Sequence, residues 1–131
     1  MTIERKTRQY EAIRTVLTEA KRPLLAQEIL NLASVIVPKM SLATVYRNLK
    51  GLQANNLITS VLLPGQNPRY EIKTHTHHHH FQCRYCEQVF EVRLCPGGFE
   101  SFMPEGFTVE DHELILYGEC KECSAQKSKG S

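Results

Sequence analysis

Apolar residues at Tyr10, Ile13, Val16 and Leu17 recur three and four positions apart, which puts them on one face of a helix from Arg8 to Ala20. Pro23 ends the connection that follows. Leu25, Ile29 and Leu32 predict a second, short helix over Leu25 to Ala33, with these three as its buried stripe. Pro38 breaks the chain again, since proline lacks the N–H a helix interior needs. Ser41 is then a good N-cap. Leu42, Val45, Leu49 and Leu52 make the apolar stripe of a third helix that ends near Asn55-Asn56. Gly51 inside it lowers helix propensity and suggests a close backbone approach.

The period then changes. Ile58 to Leu63 is rich in β-branched residues and reads as a strand, Pro64 to Pro68 as a turn, and Arg69 to Lys73 as a returning strand. Three helices followed by a hairpin outline a winged helix-turn-helix. The buried stripe of the third helix leaves Ser41, Thr44, Tyr46, Arg47 and Lys50 on its other side, where a helix can read the major groove of duplex DNA. Lys73 to Thr76 is short and polar, a hinge. Beyond it, strands are expected at His77–Cys83 and Gln88–Val92, a loop at Cys95 to Gly98, and a short helical stretch around Phe99–Met103. A last strand is expected at Glu113–Tyr117, with Thr108–Val109 as its early start, and Ser124–Ser131 as a frayed end. The expected class is α+β: a winged helix over residues 1–73 and a small α/β domain over residues 74–131.

Charge divides the chain the same way. Residues 1–60 carry nine Lys/Arg against four Asp/Glu, and residues 61–131 seven against ten. A basic first half suits a polyanion, and an acidic, histidine-rich second half suits cations. Arg5, Lys6 and Arg8 are candidates for added phosphate contacts. No apolar run is long enough to span a membrane and the first residues lack the apolar core of a secretion signal, so a cytoplasmic location is the expectation.

The second half carries the chemistry. His77-His78-His79-His80 runs straight into Cys83-Arg84-Tyr85-Cys86, and Cys120-Lys121-Glu122-Cys123 follows after a gap of 33 residues. Two Cys-x-x-Cys pairs supply the four thiolates of a closed tetrahedral zinc site, and their wide spacing staples the end of a domain to its start. The competing readings are redox dithiols or disulfides, which a reducing compartment disfavours. Cys95 is left over. The histidine run could be an affinity tag, but it is internal and leads into strand-like sequence. In a strand, His78 and His80 face one side and His77 and His79 the other, so one strand feeds two metal sites.

Several motifs resemble the ferric uptake regulator (Fur) family: Ser41 to Leu49 its recognition helix, Arg69-Tyr70-Glu71, the histidine run with Cys83 and Cys86, Gly106-Phe107 with Asp111-His112, and Leu116-Tyr117-Gly118 with Cys120 and Cys123. The resemblance extends from about Lys6 to Cys123. It implies a metal-responsive transcriptional repressor of metal-uptake or peroxide-stress genes, a homodimer on double-stranded operator DNA, and not an enzyme. It assigns structural zinc to Cys83, Cys86, Cys120 and Cys123. It assigns a regulatory ion (iron, zinc or manganese) to Glu71, His78 and His80, with Glu91 used by some members. It assigns a further dimerisation-domain site to His77, His79 and His112, whose fourth ligand is normally a carboxylate: Glu100 is the expectation and Cys95 its rival.

Two departures stand out. Arg22, before Pro23, occupies a position where the family often has a histidine, and a permanently charged guanidinium cannot ligate a metal. The regulatory site would then be completed by His75, by water, or by nothing. The chain also begins later than many members do, so a leading helix that often touches DNA is expected to be absent. The alternative functions are a zinc-ribbon protein-interaction module and a zinc hydrolase, although no His-Glu-x-x-His helix is present.

Overall fold

The computed structural model describes residues 2–74 and 77–130, with the backbone alone described at residues 2–6 and 127–130. The chain divides into two compact units, residues 1–75 and 76–131.

The first unit opens with α1 (Thr2–Ala20), whose Ile13, Val16 and Leu17 are buried as their spacing requires. A two-residue strand, β1 (Leu24–Leu25), leads directly into α2 (Ala26–Ile36). The carboxylate of Glu28 accepts the Leu25 N–H at 2.9 Å, satisfying one of the amides that a helix start leaves open. Arg22 holds the other oxygen of Glu28 at 3.2 Å. α3 (Leu42–Ala54) is capped by Ser41, whose hydroxyl accepts the Thr44 N–H at 3.1 Å. It stops where Asn56 turns left-handed at φ 58° and the Leu57 N–H returns to the Leu52 carbonyl at 3.0 Å. β2 (Ile58–Val61) and β3 (Arg69–Ile72) form the hairpin, and β1 pairs antiparallel on the other side of β3, giving the order β1-β3-β2. Ile13, Leu24, Ile29, Val45, Leu49 and Leu52 form the heart of one core.

Three expectations change here. Leu25 belongs to β1, where it pairs with Arg69, and α2 turns Ala26, Ile29 and Ala33 inward, leaving Leu32 47% exposed. The small alanines let α2 approach its neighbours closely, and that choice of face puts Leu32 outside. Leu42 stands at the exposed first position of α3 rather than in its stripe. At Gly51 a Cβ would meet nothing within 4 Å, so no close backbone approach explains that glycine.

The second unit is a three-stranded sheet of β4 (His79–Cys83), β5 (Val89–Val92) and β6 (Ile115–Gly118) in the order β5-β4-β6. β5 is antiparallel to the central β4, and β6 is parallel to it. A 3-10 turn covers Phe99–Phe102, and Thr108–Val109 stay outside the sheet. Of the stretch expected to fray, residues 124–130 instead belong to a helix, α4 (Lys121–Gly130), which starts inside the second cysteine pair; Ser131 lies outside the described residues. Among the described residues of this unit, Cys83 and Val89 are the only buried hydrophobic side chains. Such a unit cannot be held by apolar burial alone; units of this size need a metal, disulfides or a partner subunit.

Candidate metal centres and nucleic-acid interface

The parallel pairing of β4 with β6 brings the two cysteine pairs together. Cys83 and Gly118 are register partners at the same end of adjacent strands; β4 runs into the turn that carries Cys86, and β6 runs into Cys120 and the start of α4, which carries Cys123. Cys83 Sγ lies 3.7 Å from Cys123 Sγ, and Cys86 Sγ 3.8 Å from Cys120 Sγ. Four sulfurs about 2.3 Å from a tetrahedral zinc stand about 3.8 Å apart, so the residues fit that ion. The thiols are free, with no disulfide formed. The backbone N–H groups of Tyr85, Cys86 and Cys120 point at Cys83 Sγ from 3.4 to 3.5 Å. Burial alone would push this thiol up, but those donors outweigh it and bring Cys83 down to about 6. Cys123, crowded by the Cys120 thiol and by burial, is pushed up to about 12. Four sulfurs this close cannot all ionise by themselves, and a bound dication is what lets them.

β4 and the two residues that lead into it, His77 and His78, also separate the histidines by face. On one face, the His78 and His80 rings are 5.1 Å apart, His80 pairs with Glu91 of β5, and His78 Nδ1 is 3.6 Å from the Glu91 carboxylate. On the other, His77 Nε2 lies 2.9 Å from His79 Nε2 and 3.0 Å from His112 Nε2. Cys95 Sγ stands 3.2 Å from His112 Nε2, and the four donor atoms all lie within 4.8 Å of one another. The Phe99 ring, centred 4.3 Å from the His112 ring, backs that imidazole. Burial, then the surrounding imidazoles, lowers the pKa of His79, which favours the neutral form a metal requires. The Leu114 N–H donates to His79 Nδ1 at 3.2 Å, a hydrogen bond worth about 1 kcal/mol that is given up if Nε2 takes an ion.

Glu100, expected as the fourth ligand here, is not among the converging donors. It lines a cavity of about 380 Å³ beside His77 and His112, but the 3-10 turn carries it along the cavity wall while the Cys95 loop reaches the imidazoles. Glu71 stands on β3 opposite Thr59, in the first unit. Arg22 is engaged with Glu28, as its permanent charge allows. His75, the other candidate for the regulatory ion, lies outside the described residues, as do the Arg5 and Lys6 side chains.

On the first unit, Ser41, Tyr46, Arg47 and Lys50 are exposed along α3, Tyr46 by 49%. Thr44 is buried, contrary to its expected place on the open face. Its hydroxyl lies 3.0 Å from Ser41 Oγ and accepts from Arg47 Nη2 at 3.3 Å, so it fixes the cap and the arginine instead of facing a ligand. A stripe read at helical spacing could not reveal this, because the cap itself draws Thr44 inward.

Comparison with known proteins agrees with this architecture. The sequence profile of the Ferric uptake regulator family matches residues 3–117. The chain belongs to this family. Family members are metal-responsive transcriptional regulators. The Ferric uptake regulation protein of Campylobacter jejuni is 32% identical over 93 residues, which is 69% of this chain and 59% of that protein. The Peroxide operon regulator of Bacillus subtilis is 30% identical over 128 residues, 95% of this chain and 87% of that one. Among solved structures, a zinc-bound manganese uptake regulator superposes with a TM-score of 0.73 at 26% identity, covering 86% of this chain and 87% of that one. The Helicobacter pylori regulator Fur, described with three functional metal-binding sites, superposes with a TM-score of 0.68 at 26% identity, over 88% of this chain and 79% of its own. Among the described residues no helix is long and apolar enough to cross a membrane.

Proposed function

We propose that this Fur-family chain is a metal-dependent repressor that binds double-stranded operator DNA as a homodimer in the cytoplasm. The observation that carries the reading is β4, whose alternate faces collect two sets of metal donors just ahead of a four-cysteine cluster. Zinc on Cys83, Cys86, Cys120 and Cys123 is structural. The regulatory ion is iron, zinc or manganese, held by His78, His80 and Glu91 and joined by Glu71. In the sequence Glu71 precedes the linker and the two histidines follow it. An ion shared by these groups therefore favours one disposition of the winged helix over others, and the spacing of two recognition helices must match half-sites on DNA. By linkage, DNA tightens metal binding by the same factor that metal tightens DNA binding.

Exposed Leu94, Phe102, Phe107 and Leu116 on a unit with so little buried apolar surface support the homodimer. Tyr46, Arg47 and Lys50 of α3 are the groups offered to bases and phosphates. The controlled genes belong to metal uptake or to peroxide stress. Retardation of operator DNA at buffered free iron, manganese and zinc is the test. Metal-dependent retardation supports the repressor; partner capture without metal supports an interaction module, and turnover of an ester or peptide supports a hydrolase.

A further inference from the structure

The cluster on the second face of β4 contains a contradiction that its own residues cannot resolve. His77 Nε2 faces two other imidazole Nε2 atoms at 2.9 and 3.0 Å. A neutral imidazole nitrogen offers one proton or one lone pair, never enough to serve two such neighbours well. His79 donates from Nε2, because its Nδ1 already accepts the Leu114 N–H. His77 then presents a single lone pair to both His79 and His112, and Cys95 Sγ closes the group at 3.2 Å from His112. Three ring nitrogens and a thiol converging at these distances, with too few protons and lone pairs to satisfy one another, are the arrangement that a cation taking the place of those protons makes favourable.

We propose that Cys95 is the fourth ligand of this site, making it a one-thiolate, three-imidazole centre that selects zinc or cobalt(II) over manganese(II). Manganese favours carboxylate, carbonyl and water oxygen, whereas thiolate and imidazole suit softer ions. About 2.0–2.1 Å from zinc, tetrahedral nitrogens stand about 3.3 Å apart, so the His77–His79 and His77–His112 contacts need open by only a few tenths of an ångström. Gly97 and Gly98, both left-handed at φ 68° and 71°, turn the loop after Cys95 into the 3-10 turn that carries Phe99 against His112. The proposal rests on the reading that β4 serves two metal sites, and it is independent of DNA binding.

The experiment titrates cobalt(II) into the full chain with its structural zinc in place, following the absorption spectrum and the zinc content together. A thiolate-to-cobalt charge-transfer band in the near ultraviolet, with zinc retained, is the expected result. Cys95→Ser should lose that band and bind cobalt more weakly by more than the roughly 10- to 100-fold that losing an outer-shell partner costs. Glu100→Gln should behave as the wild type. An unchanged band in Cys95→Ser overturns the proposal, as does a band that grows only as zinc is released. Cobalt bound with a nitrogen-and-oxygen spectrum removes Cys95 but leaves the metal site. No cobalt uptake beyond the zinc already present removes both.

Discussion

Cys83 and Gly118 are register partners across the parallel pair of β4 and β6, and this one pairing decides where four cysteines separated by 33 residues meet. The absence of a side chain at residue 118 is part of it: a Cβ there would come within 3.2 Å of the Phe81 ring. The Arg84 N–H donates to the Gly118 carbonyl at 2.8 Å, closing the turn after β4 against the end of β6. The turn after β4 and the start of α4 then present their sulfurs to the same point.

Because Cys83 and Val89 are the only buried hydrophobic side chains described in this unit, zinc on the proposed four-cysteine site would be largely folding free energy, about 10–16 kcal/mol in small zinc-finger peptides. Cys120→Ser should therefore release zinc and unfold residues 76–131, while the first unit, with its own core, retains its helices. Metal analysis alongside circular dichroism checks both. A full complement of zinc in Cys120→Ser is the outcome that rejects the four-cysteine site.

Much of the first unit was legible because its helices announce themselves in period. The stripe of α1 and that of α3 from Val45 onward match the buried positions. β1 was not legible: Leu24-Leu25 is too short for a pattern of its own and exists only through pairing with Tyr70 and Arg69, far along the chain. α4 was hidden for the opposite reason. Its sequence, KECSAQKSKG, has no apolar stripe, and the helix begins at the cysteine cluster instead of on a core. The two-faced histidine strand could be read from alternation alone, since side chains in a strand point to opposite sides. The choice between Glu100 and Cys95 could not, because it depends on the path of a loop containing two left-handed glycines.

On α3, Arg47→Ala should weaken operator binding while zinc content and dimerisation stay as they were. Lys50→Ala should act mainly through phosphate, lowering the slope of log affinity against log salt by about 1. Binding measured across a salt series separates the two. Unchanged affinity in Arg47→Ala would place the reading surface elsewhere.

Thr44→Val keeps the volume of a buried residue but removes the hydroxyl that meets Ser41 Oγ and Arg47 Nη2. The expected cost is about 1 kcal/mol in the stability of the first unit, with DNA affinity reduced because Arg47 loses its orientation. Urea unfolding and operator titration on the same variant test this. Reduced stability with wild-type affinity would confine Thr44 to capping.

The two faces of β4 should separate regulation from support. His78 and His80 share one face with Glu91, and His77 and His79 share the other with His112 and Cys95. His80→Ala should abolish metal-stimulated DNA binding while the structural zinc stays, because it removes a ligand proposed to join the ion to Glu71. His77→Ala should weaken the second unit or the dimer and blunt the response in part, because its face is closed within that unit. Operator titrations of each variant under buffered iron, manganese and zinc, with dimerisation followed by sedimentation, distinguish these effects. Arg22, bound to Glu28 where a histidine often stands in this family, sharpens the alternative outcome. A full response in His80→Ala would mean that the first-face site no longer regulates, and that the switch has passed to His77, His79 and His112.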